Sequence, residues 1–339
     1  MSASGAGDVE TFGLTWADTG GPGFGRRRAG RGFRYLAENG AALTDAGAVA
    51  RIRRLAIPPA WRQVWICPSA QGHIQAIGLD ERGRRQYLYH PAFREAQDDA
   101  KFDGLIAFGE ALPRLRAQVQ ADLSRPGLPR EKVLATVVSL LETTLIRVGN
   151  IEYAKANNSF GLTTLLNRHV LVDGEELRFS FAGKSGHKWR LGVRDRRVAN
   201  IVRRCQDLPG QRLFEYRDEA GEIHAIASAD VNAYLKAASG AEITAKNFRT
   251  WAGTVLAAEA LVALPSPESA AAGRRALSEM FRAVGNRLGN TPTICRKGYV
   301  HPGVVEAWLA GRLVLKSSRR PADGMSSLEA AVLAFLKRR

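Results

Sequence analysis

The chain has 339 residues, and 49 Lys and Arg against 33 Asp and Glu give it a formal net charge of +16. This length predicts about two domains, and 45% hydrophobic residues exclude a disordered basic tail. The charge favours a polyanionic partner, nucleic acid before an anionic membrane surface, and no apolar run approaches the roughly 20 residues that cross a bilayer.

The three cysteines, Cys67, Cys205 and Cys295, are odd in number and far apart in the chain. Such spacing fits reduced thiols better than a disulfide framework or a zinc site. The first residues also lack the basic and apolar blocks of a signal peptide. We therefore expect a cytoplasmic protein without a structural metal.

The N-terminal part carries short strand patterns separated by glycine turns. The predicted strands are Phe33–Leu36, Val64–Cys67, His73–Ile77 and Gln86–Tyr89, with a short helix over Ala46–Leu55. The Gly- and Arg-rich stretch Gly20–Gly32 has two interpretations, a solvated loop or an arm that orders on DNA. We predict a small antiparallel β-rich domain over residues 1–102.

Long helical patterns dominate the rest of the chain. Predicted helices cover Arg130–Val148, Ala229–Ala238 behind an N-cap Ser228, Ala245–Ala263, and a segment that opens at Ser266 and ends at Gly289. Hairpins are expected at 177–193, with its turn at Gly183–Gly186, and at 214–226. A flexible connector over 317–326 precedes a short C-terminal helix. The predicted fold class is α+β, with a mainly α-helical domain over residues 103–339.

A tyrosine, Tyr299, follows the break at Gly289, and three cationic residues, Arg147, Lys184 and Arg249, stand upstream. Transesterification of a phosphodiester needs a nucleophile, cations for the phosphorus centre and an acid for the leaving sugar oxygen. Tyrosine keeps the bond energy in its phosphoester, arginine grips two phosphate oxygens, and lysine on a mobile turn can reach the leaving oxygen. Each residue alone has an ordinary structural explanation; the combination indicates a catalytic set.

Two other classes of protein fit the charge. A metal-dependent nuclease needs clustered carboxylates, and the only cluster in the sequence, Asp98 and Asp99 with Asp103, has the spacing of an exposed helix face. An architectural DNA-binding protein also fits a charge of +16, but that role does not explain the combination of Tyr299 with its three cations.

The catalytic set stands in segments that resemble type IB DNA topoisomerases of the small poxvirus-like bacterial group. The matching segments are Ile146–Asn150, Phe181–Lys184, Lys246–Thr250, and Gly289–Pro292 with Lys297–Tyr299. Gly83–Tyr89 resembles the segment with which the family touches DNA. The likeness runs from about Phe33 to Tyr299, and it implies the catalytic fold that these enzymes share with tyrosine recombinases.

The resemblance implies a role for each matching residue. Tyr299 attacks phosphorus and forms a 3′-phosphotyrosyl link, Arg147 and Arg249 bind the non-bridging oxygens, and Lys184 is the general acid. Asn290 stands where many relatives place histidine, so it can donate a hydrogen bond but cannot titrate. The implied DNA contacts are Arg84, Gln86, Tyr87, Tyr89, Tyr153 and Lys246. For Tyr87 and Tyr89 the alternative is packing in a β core.

The implied activity is relaxation of supercoiled duplex DNA by cleavage, strand rotation and religation, without ATP, metal or another cofactor. A monomer would clamp double-stranded DNA between two lobes joined near residues 95–105, with no membrane partner. The alternative is a site-specific tyrosine recombinase, which uses the same chemistry. That class usually has a histidine where Lys246 stands and an all-helical N-terminal domain.

Overall fold

The computed structural model describes residues 13–316 and 324–338, without the side chains of residues 96–101 and 103. The chain divides into two compact units between Lys101 and Phe102. The first contains an antiparallel sheet and the second is mostly helical, so the predicted α+β class is confirmed. Within the described part of the chain, no helix has both the length and the apolar character of a membrane span.

The first unit is a five-stranded antiparallel sheet with strand order β2-β1-β3-β4-β5. One helix, α1, supplies Ile52 to a small core with Ile57, Val64, Ile66 and Ala76. The predicted strands and the predicted helix are confirmed. The bounds are Phe24–Ala29 for β1, Gly32–Leu36 for β2, Ala46–Arg54 for α1, Arg62–Ile66 for β3, Ile74–Leu79 for β4 and Arg85–Tyr89 for β5.

Residues Phe24–Ala29 of the Gly- and Arg-rich stretch form strand β1, so that part is neither a loop nor an arm that waits for DNA to order it. The guanidinium of Arg26 donates hydrogen bonds to the carbonyls of Ile57, at 2.9 Å, and Pro58, at 2.8 Å. Its carbon also lies 4.1 Å from the centroid of the Phe33 ring. Arg26 thus uses its charge to bind loop carbonyls and its flat face to cover an aromatic ring, as arginines in folded sheets do. The Gly- and Arg-rich composition alone is typical of a solvated segment.

The second unit packs its helices around a large apolar core, which includes the fully buried Phe108, Leu141, Ala257 and Leu288. Helix α2 begins before the boundary between the units. The helices are α2 Pro91–Leu123, α3 Arg130–Thr144, α4 Ile151–Asn157, α5 Arg196–Gln206, α6 Ser228–Ser239, α7 Ala245–Val262, α8 Ala270–Leu288, α9 Pro292–Gly298, α10 Pro302–Leu309 and α11 Ser327–Lys337.

Two antiparallel sheets interrupt the helices, and both predicted hairpins are confirmed. The larger sheet has the strand order β6-β7-β8, and a tight turn joins β7 to β8 at the predicted position. The strands are β6 Val170–Asp173, β7 Glu176–Ala182, β8 Lys188–Arg194, β9 Glu215–Arg217 and β10 Ile223–Ala225. The predicted C-terminal helix is confirmed as α11, whereas residues 317–323 of the predicted connector lie outside the described residues.

Three helix ends differ from the predictions. Helix α3 stops at Thr144 because Leu145 adopts a left-handed conformation, φ 58°, so the prediction that the helix runs to Val148 was wrong. Helix α8 begins at Ala270 with Ser269 as its N-cap, whose side chain accepts from the backbone N–H of Ala272, so the predicted start at Pro267 behind an N-cap Ser266 was wrong. Helix α6 begins at Ser228 itself, so this serine is not the N-cap.

Candidate active site

A cleft of about 460 Å³ in the second unit collects four of the five predicted catalytic residues. Arg147, Lys184, Arg249 and Tyr299 line it, and the fifth residue, Asn290, accepts a hydrogen bond from the guanidinium of Arg147. Two of the predicted DNA contacts, Tyr153 and Lys246, line the same cleft. Residues up to 152 positions apart in the sequence thus meet at one place.

Arg147 is held by its backbone rather than by a helix. The amide of Leu162 donates to the Arg147 carbonyl at 2.9 Å, and the amide of Thr163 donates to the Val148 carbonyl at 2.7 Å. At Gly161 a Cβ atom would lie 2.5 Å from the Arg147 carbonyl oxygen, and Gly149 has φ +102°. Only glycine allows the two segments this close an approach. The cation therefore projects from a doubly anchored turn.

Arg249 is buried, with 3% of its surface exposed, and it joins two helix ends. Its guanidinium donates to the carbonyl of Leu145, which follows α3, and to that of Leu288, the last residue of α8, at 2.7 Å. A cation at two helix C-termini is favoured by both helix dipoles. Burial lowers the pKa of Arg249, yet a guanidinium stays protonated at any physiological pH.

Tyr299 follows α9, and its backbone lies against α7. A Cβ atom at Gly253 of α7 would stand 2.4 Å from the Tyr299 carbonyl oxygen. The Thr254 hydroxyl donates to that oxygen at 3.5 Å and accepts from the backbone N–H of His301 at 3.1 Å. The phenol is half-buried, and the Arg249 guanidinium carbon lies 5.1 Å from its ring centroid. Sequence patterns gave no sign that Gly253 sets the position of the tyrosine.

Two opposing effects set the pKa of the Tyr299 phenol. Burial raises it, because a phenolate is poorly solvated in a low dielectric. The positive charges of Arg249 and Arg147, together with hydrogen bonds from Arg249 and Asn290, lower it by more, so the net pKa of Tyr299 lies below the ordinary value. The site thus favours the anionic, nucleophilic form of the phenol.

Lys184 lies in the β7–β8 turn, where it is exposed. The turn end of this hairpin packs on the turn after α8: a Cβ atom at Gly289 would be 2.8 Å from the Trp189 ring and 2.9 Å from that of His187. Gly289 takes φ +59° and directly precedes Asn290, so the predicted C′ glycine is confirmed. Trp189 is a supporting residue that the sequence analysis missed; an aromatic residue beside a turn is too common to mark a site.

The four predicted DNA contacts of the first unit lie on or beside β5. The Asp80 carboxylate accepts from Arg84 Nε at 2.8 Å and from Gln86 Nε2 at 3.0 Å, which fixes both side chains. The rings of Tyr87 and Tyr89 stack with centroids 6.1 Å apart. Tyr87 is 40% exposed, so packing in a β core does not describe it, whereas Tyr89 is half-buried.

Among the described residues, no three or more His, Cys, Asp and Glu side chains are grouped so that they could hold a metal ion. The side chains of Asp98, Asp99 and Asp103, the carboxylate cluster of the nuclease alternative, lie outside the described residues.

Two family models match the sequence, and both describe DNA topoisomerases. Residues 32–80 match the family described as bacterial DNA topoisomerase IB, N-terminal domain, and residues 90–310 match eukaryotic DNA topoisomerase I, catalytic core. The second match covers more than half of the chain. The chain therefore belongs to the topoisomerase I family, and it is an enzyme of type IB, as the motifs predicted.

Curated relatives agree with the family. The chain is 29% identical over 273 residues to the DNA topoisomerase 1B of Acanthamoeba polyphaga mimivirus, a match that spans 78% of this chain and 81% of the relative. It is 24% identical over 253 residues to the DNA topoisomerase 1B of Vaccinia virus, strain Copenhagen, and to the DNA topoisomerase I of Monkeypox virus, in each case spanning 73% of this chain and 75% of the relative.

Proposed function

We propose that the protein relaxes supercoiled duplex DNA by transesterification in this cleft, with Tyr299 as the nucleophile. One observation carries the proposal. Arg249 Nε and Asn290 Nδ2 are buried N–H groups beside the phenol, and apart from that phenol they have no hydrogen-bond partner among the described residues. An unsatisfied buried donor costs about 1–3 kcal/mol, and the oxygens of a bound phosphodiester would satisfy both.

The proposed reaction exchanges one ester for another. Tyr299 gives up its phenolic proton to solvent, its oxygen bonds to phosphorus, the bond to the 5′ oxygen breaks, and Lys184 protonates that oxygen as it leaves as a 5′-hydroxyl. Arg147 and Arg249 bind the non-bridging oxygens, and Asn290 donates from Nδ2 while its Oδ1 holds Arg147. Reversal of the same steps reseals the strand, so the proposed cycle consumes no ATP and uses no metal ion.

DNA binding is assigned to both units of a monomer in the cytoplasm. In the first domain, residues 1–102, Arg84, Gln86, Tyr87 and Tyr89 would contact the duplex, while Tyr153 and Lys246 would do so from the second, residues 103–339. The two domains would close around DNA about residues 95–105 while the cut strand rotates. A net charge of +16 predicts a strongly salt-dependent affinity.

The recombinase alternative is less well supported, since the first unit is β-rich and matches a topoisomerase domain. Relaxation of a plasmid that carries no partner site separates the two functions. Retention of that activity in excess EDTA and without ATP supports the metal- and ATP-independent cycle; dependence on either one refutes it.

The decisive test is a covalent adduct. Wild-type protein denatured during reaction with plasmid DNA should carry a DNA strand attached at its 3′ end to the peptide containing Tyr299. Tyr299→Phe should form no adduct and relax no plasmid, with DNA affinity within about twofold of wild type because only the hydroxyl is lost. Full relaxation by this variant would exclude Tyr299 as the nucleophile.

Lys184 has its own test. Lys184→Ala should cleave ordinary DNA slowly and regain most of the rate on a substrate whose 5′ bridging oxygen is replaced by sulfur, since a thiolate leaves without a proton. Lys188→Ala, in the same hairpin but not lining the cleft, is the matched control. Equal slowing on both substrates would remove Lys184 from the acid role.

A further inference from the structure

Trp189 of β8 lies beside the hairpin turn that carries Lys184. It pairs with Phe181 across the hairpin, and 6% of its surface is exposed. A Cβ atom at Gly183, which directly precedes Lys184, would lie 2.6 Å from the indole nitrogen of Trp189. The backbone at Gly183 therefore rests on the five-membered ring of the indole, at a separation too short for any larger residue.

The six-membered ring of the same indole meets the turn after α8. A Cβ atom at Gly289, which directly precedes Asn290, would lie 2.8 Å from Cζ2 of Trp189. The His187 ring also contacts Gly289, but His187 is exposed, whereas the indole is buried. One buried ring thus bridges two glycines, each of which comes immediately before a residue of the candidate active site. In a close-packed interior, the size of that ring sets how far apart the two turns stand.

The turn at Asn290 does not depend on the indole for its shape. The Asn290 amide donates to the Gly285 carbonyl at 2.9 Å, and a Cβ atom at Gly285 would lie 2.7 Å from the Asn290 carbonyl oxygen. The side-chain oxygen of Asn290 accepts from the guanidinium of Arg147. This side of the contact is therefore fixed by α8 and by Arg147.

The turn at Lys184 has less support of its own. Residues 184–188 are all exposed, and the hydrogen bond from the Gly183 amide to the His187 carbonyl, at 2.7 Å, runs within the hairpin. A lysine has a long, flexible stem, so on an exposed turn its ammonium has many positions available. Packing of the turn on Trp189 restricts those positions.

We propose that Trp189 is a positioning residue, which holds the Lys184 turn at a fixed distance from Asn290 so that the ammonium reaches the leaving 5′ oxygen. The inference rests on the proposed function of Lys184 as the general acid. A proton donor must lie within hydrogen-bond reach of the atom that it protonates, and a displacement of about 1 Å can cost on the order of 100-fold in rate. Trp189 does not line the reaction cleft, so it acts through Lys184.

The test measures the single-turnover rate of adduct formation on two short duplexes, one with the ordinary 5′ bridging oxygen and one with sulfur in its place. Trp189→Leu removes the indole. Phe179→Leu is the matched control, because Phe179 is a buried ring of the same hairpin, on β7 and away from the turn. Gly183→Ala displaces the turn without leaving a cavity: a φ of −95° accepts alanine, but the added methyl group would meet the indole.

We expect Trp189→Leu and Gly183→Ala to cleave the ordinary duplex about tenfold or more slowly than wild type and to regain most of that loss on the sulfur duplex. Phe179→Leu should stay within about twofold of wild type on both duplexes. Adding Trp189→Leu to Lys184→Ala should slow cleavage of the ordinary duplex by less than about twofold further, because the group that the indole positions is already absent.

Equal slowing on both duplexes by either Trp189→Leu or Gly183→Ala would overturn the inference, and so would a wild-type rate on the ordinary duplex. Circular dichroism and DNA affinity check that each variant is folded; if Trp189→Leu is not, Gly183→Ala alone decides. If sulfur does not rescue Lys184→Ala itself, the acid role fails and this inference fails with it. If sulfur rescues Lys184→Ala but neither of the other two variants, the acid role stands and only the role of Trp189 is refuted.

Discussion

Gly253→Ala should slow DNA cleavage through geometry alone. The added Cβ atom would stand 2.4 Å from the Tyr299 carbonyl oxygen, whereas ordinary contact begins at 3.4 Å, so the tyrosine backbone or α7 must retreat by about 1 Å. A misplacement of about 1 Å can cost on the order of 100-fold in rate. That corresponds to about 2.7 kcal/mol of transition-state stabilisation.

The assay is the single-turnover rate of adduct formation on a short duplex, with DNA affinity measured alongside. Overpacking costs about 1–3 kcal/mol of stability, offset by the roughly 0.5–1 kcal/mol that alanine gains over glycine inside a helix. The variant should therefore stay folded and bind DNA normally while it cleaves slowly. Gly104→Ala is the control, because its nearest neighbour would be 3.9 Å away. Wild-type cleavage by Gly253→Ala would refute the claim that this contact positions Tyr299.

Two further predictions concern charge. Arg147→Gln removes a cation that lowers the pKa of Tyr299, so the rise of the cleavage rate with pH should move to higher pH. The control is Arg287→Gln, which removes a cation bound to the Thr143 carbonyl at the end of α3 and should leave the pH profile in place. An unmoved profile for Arg147→Gln would contradict the electrostatic account. Arg116 and other donors hold the pKa of Glu329 at about 2 in the folded state, below its ordinary 4.5, so this carboxylate stabilises at neutral pH and loses that effect as pH falls from about 5 towards 2. Glu329→Gln should lower the free energy of unfolding in urea at pH 7 by on the order of 3 kcal/mol, and the loss of stability between about pH 5 and 2 should become shallower. The control Glu110→Gln removes a carboxylate of an exposed pair and should cost under about 1 kcal/mol. Equal stabilities of the two variants would contradict this.

The sequence was sufficient to single out Asn290, Tyr299 and Lys184 as candidates, because each stands in a local pattern. Asn290 and Tyr299 follow a helix stop and Lys184 lies in a hairpin turn, and both features depend on short-range glycine chemistry. The common cleft itself followed from the family resemblance, not from spacing. The α+β class was also predictable, since strand and helix periodicities occupy separate parts of the chain.

The supports of the site were not predictable, because they depend on contacts between distant segments. Arg249 binds the carbonyls of Leu145 and Leu288, 104 and 39 positions away. The helix interior that contains Gly253 gives no sign of what approaches it. The end of α3 was misjudged for a related reason: the apolar stripe continues through Leu145 and Val148 although the backbone has already turned.

The double anchorage of Arg249 has a consequence for how this enzyme can evolve. Lysine keeps the charge, but all its N–H donors share one nitrogen, so it cannot reproduce a planar fork that reaches the two carbonyls from separate nitrogens. A truncated side chain at this position would therefore release two helix ends and remove a cation from the cleft at once, so a lower rate could not be assigned to either effect alone. Any homologue that lacks this arginine should also show altered termini on the helices that correspond to α3 and α8.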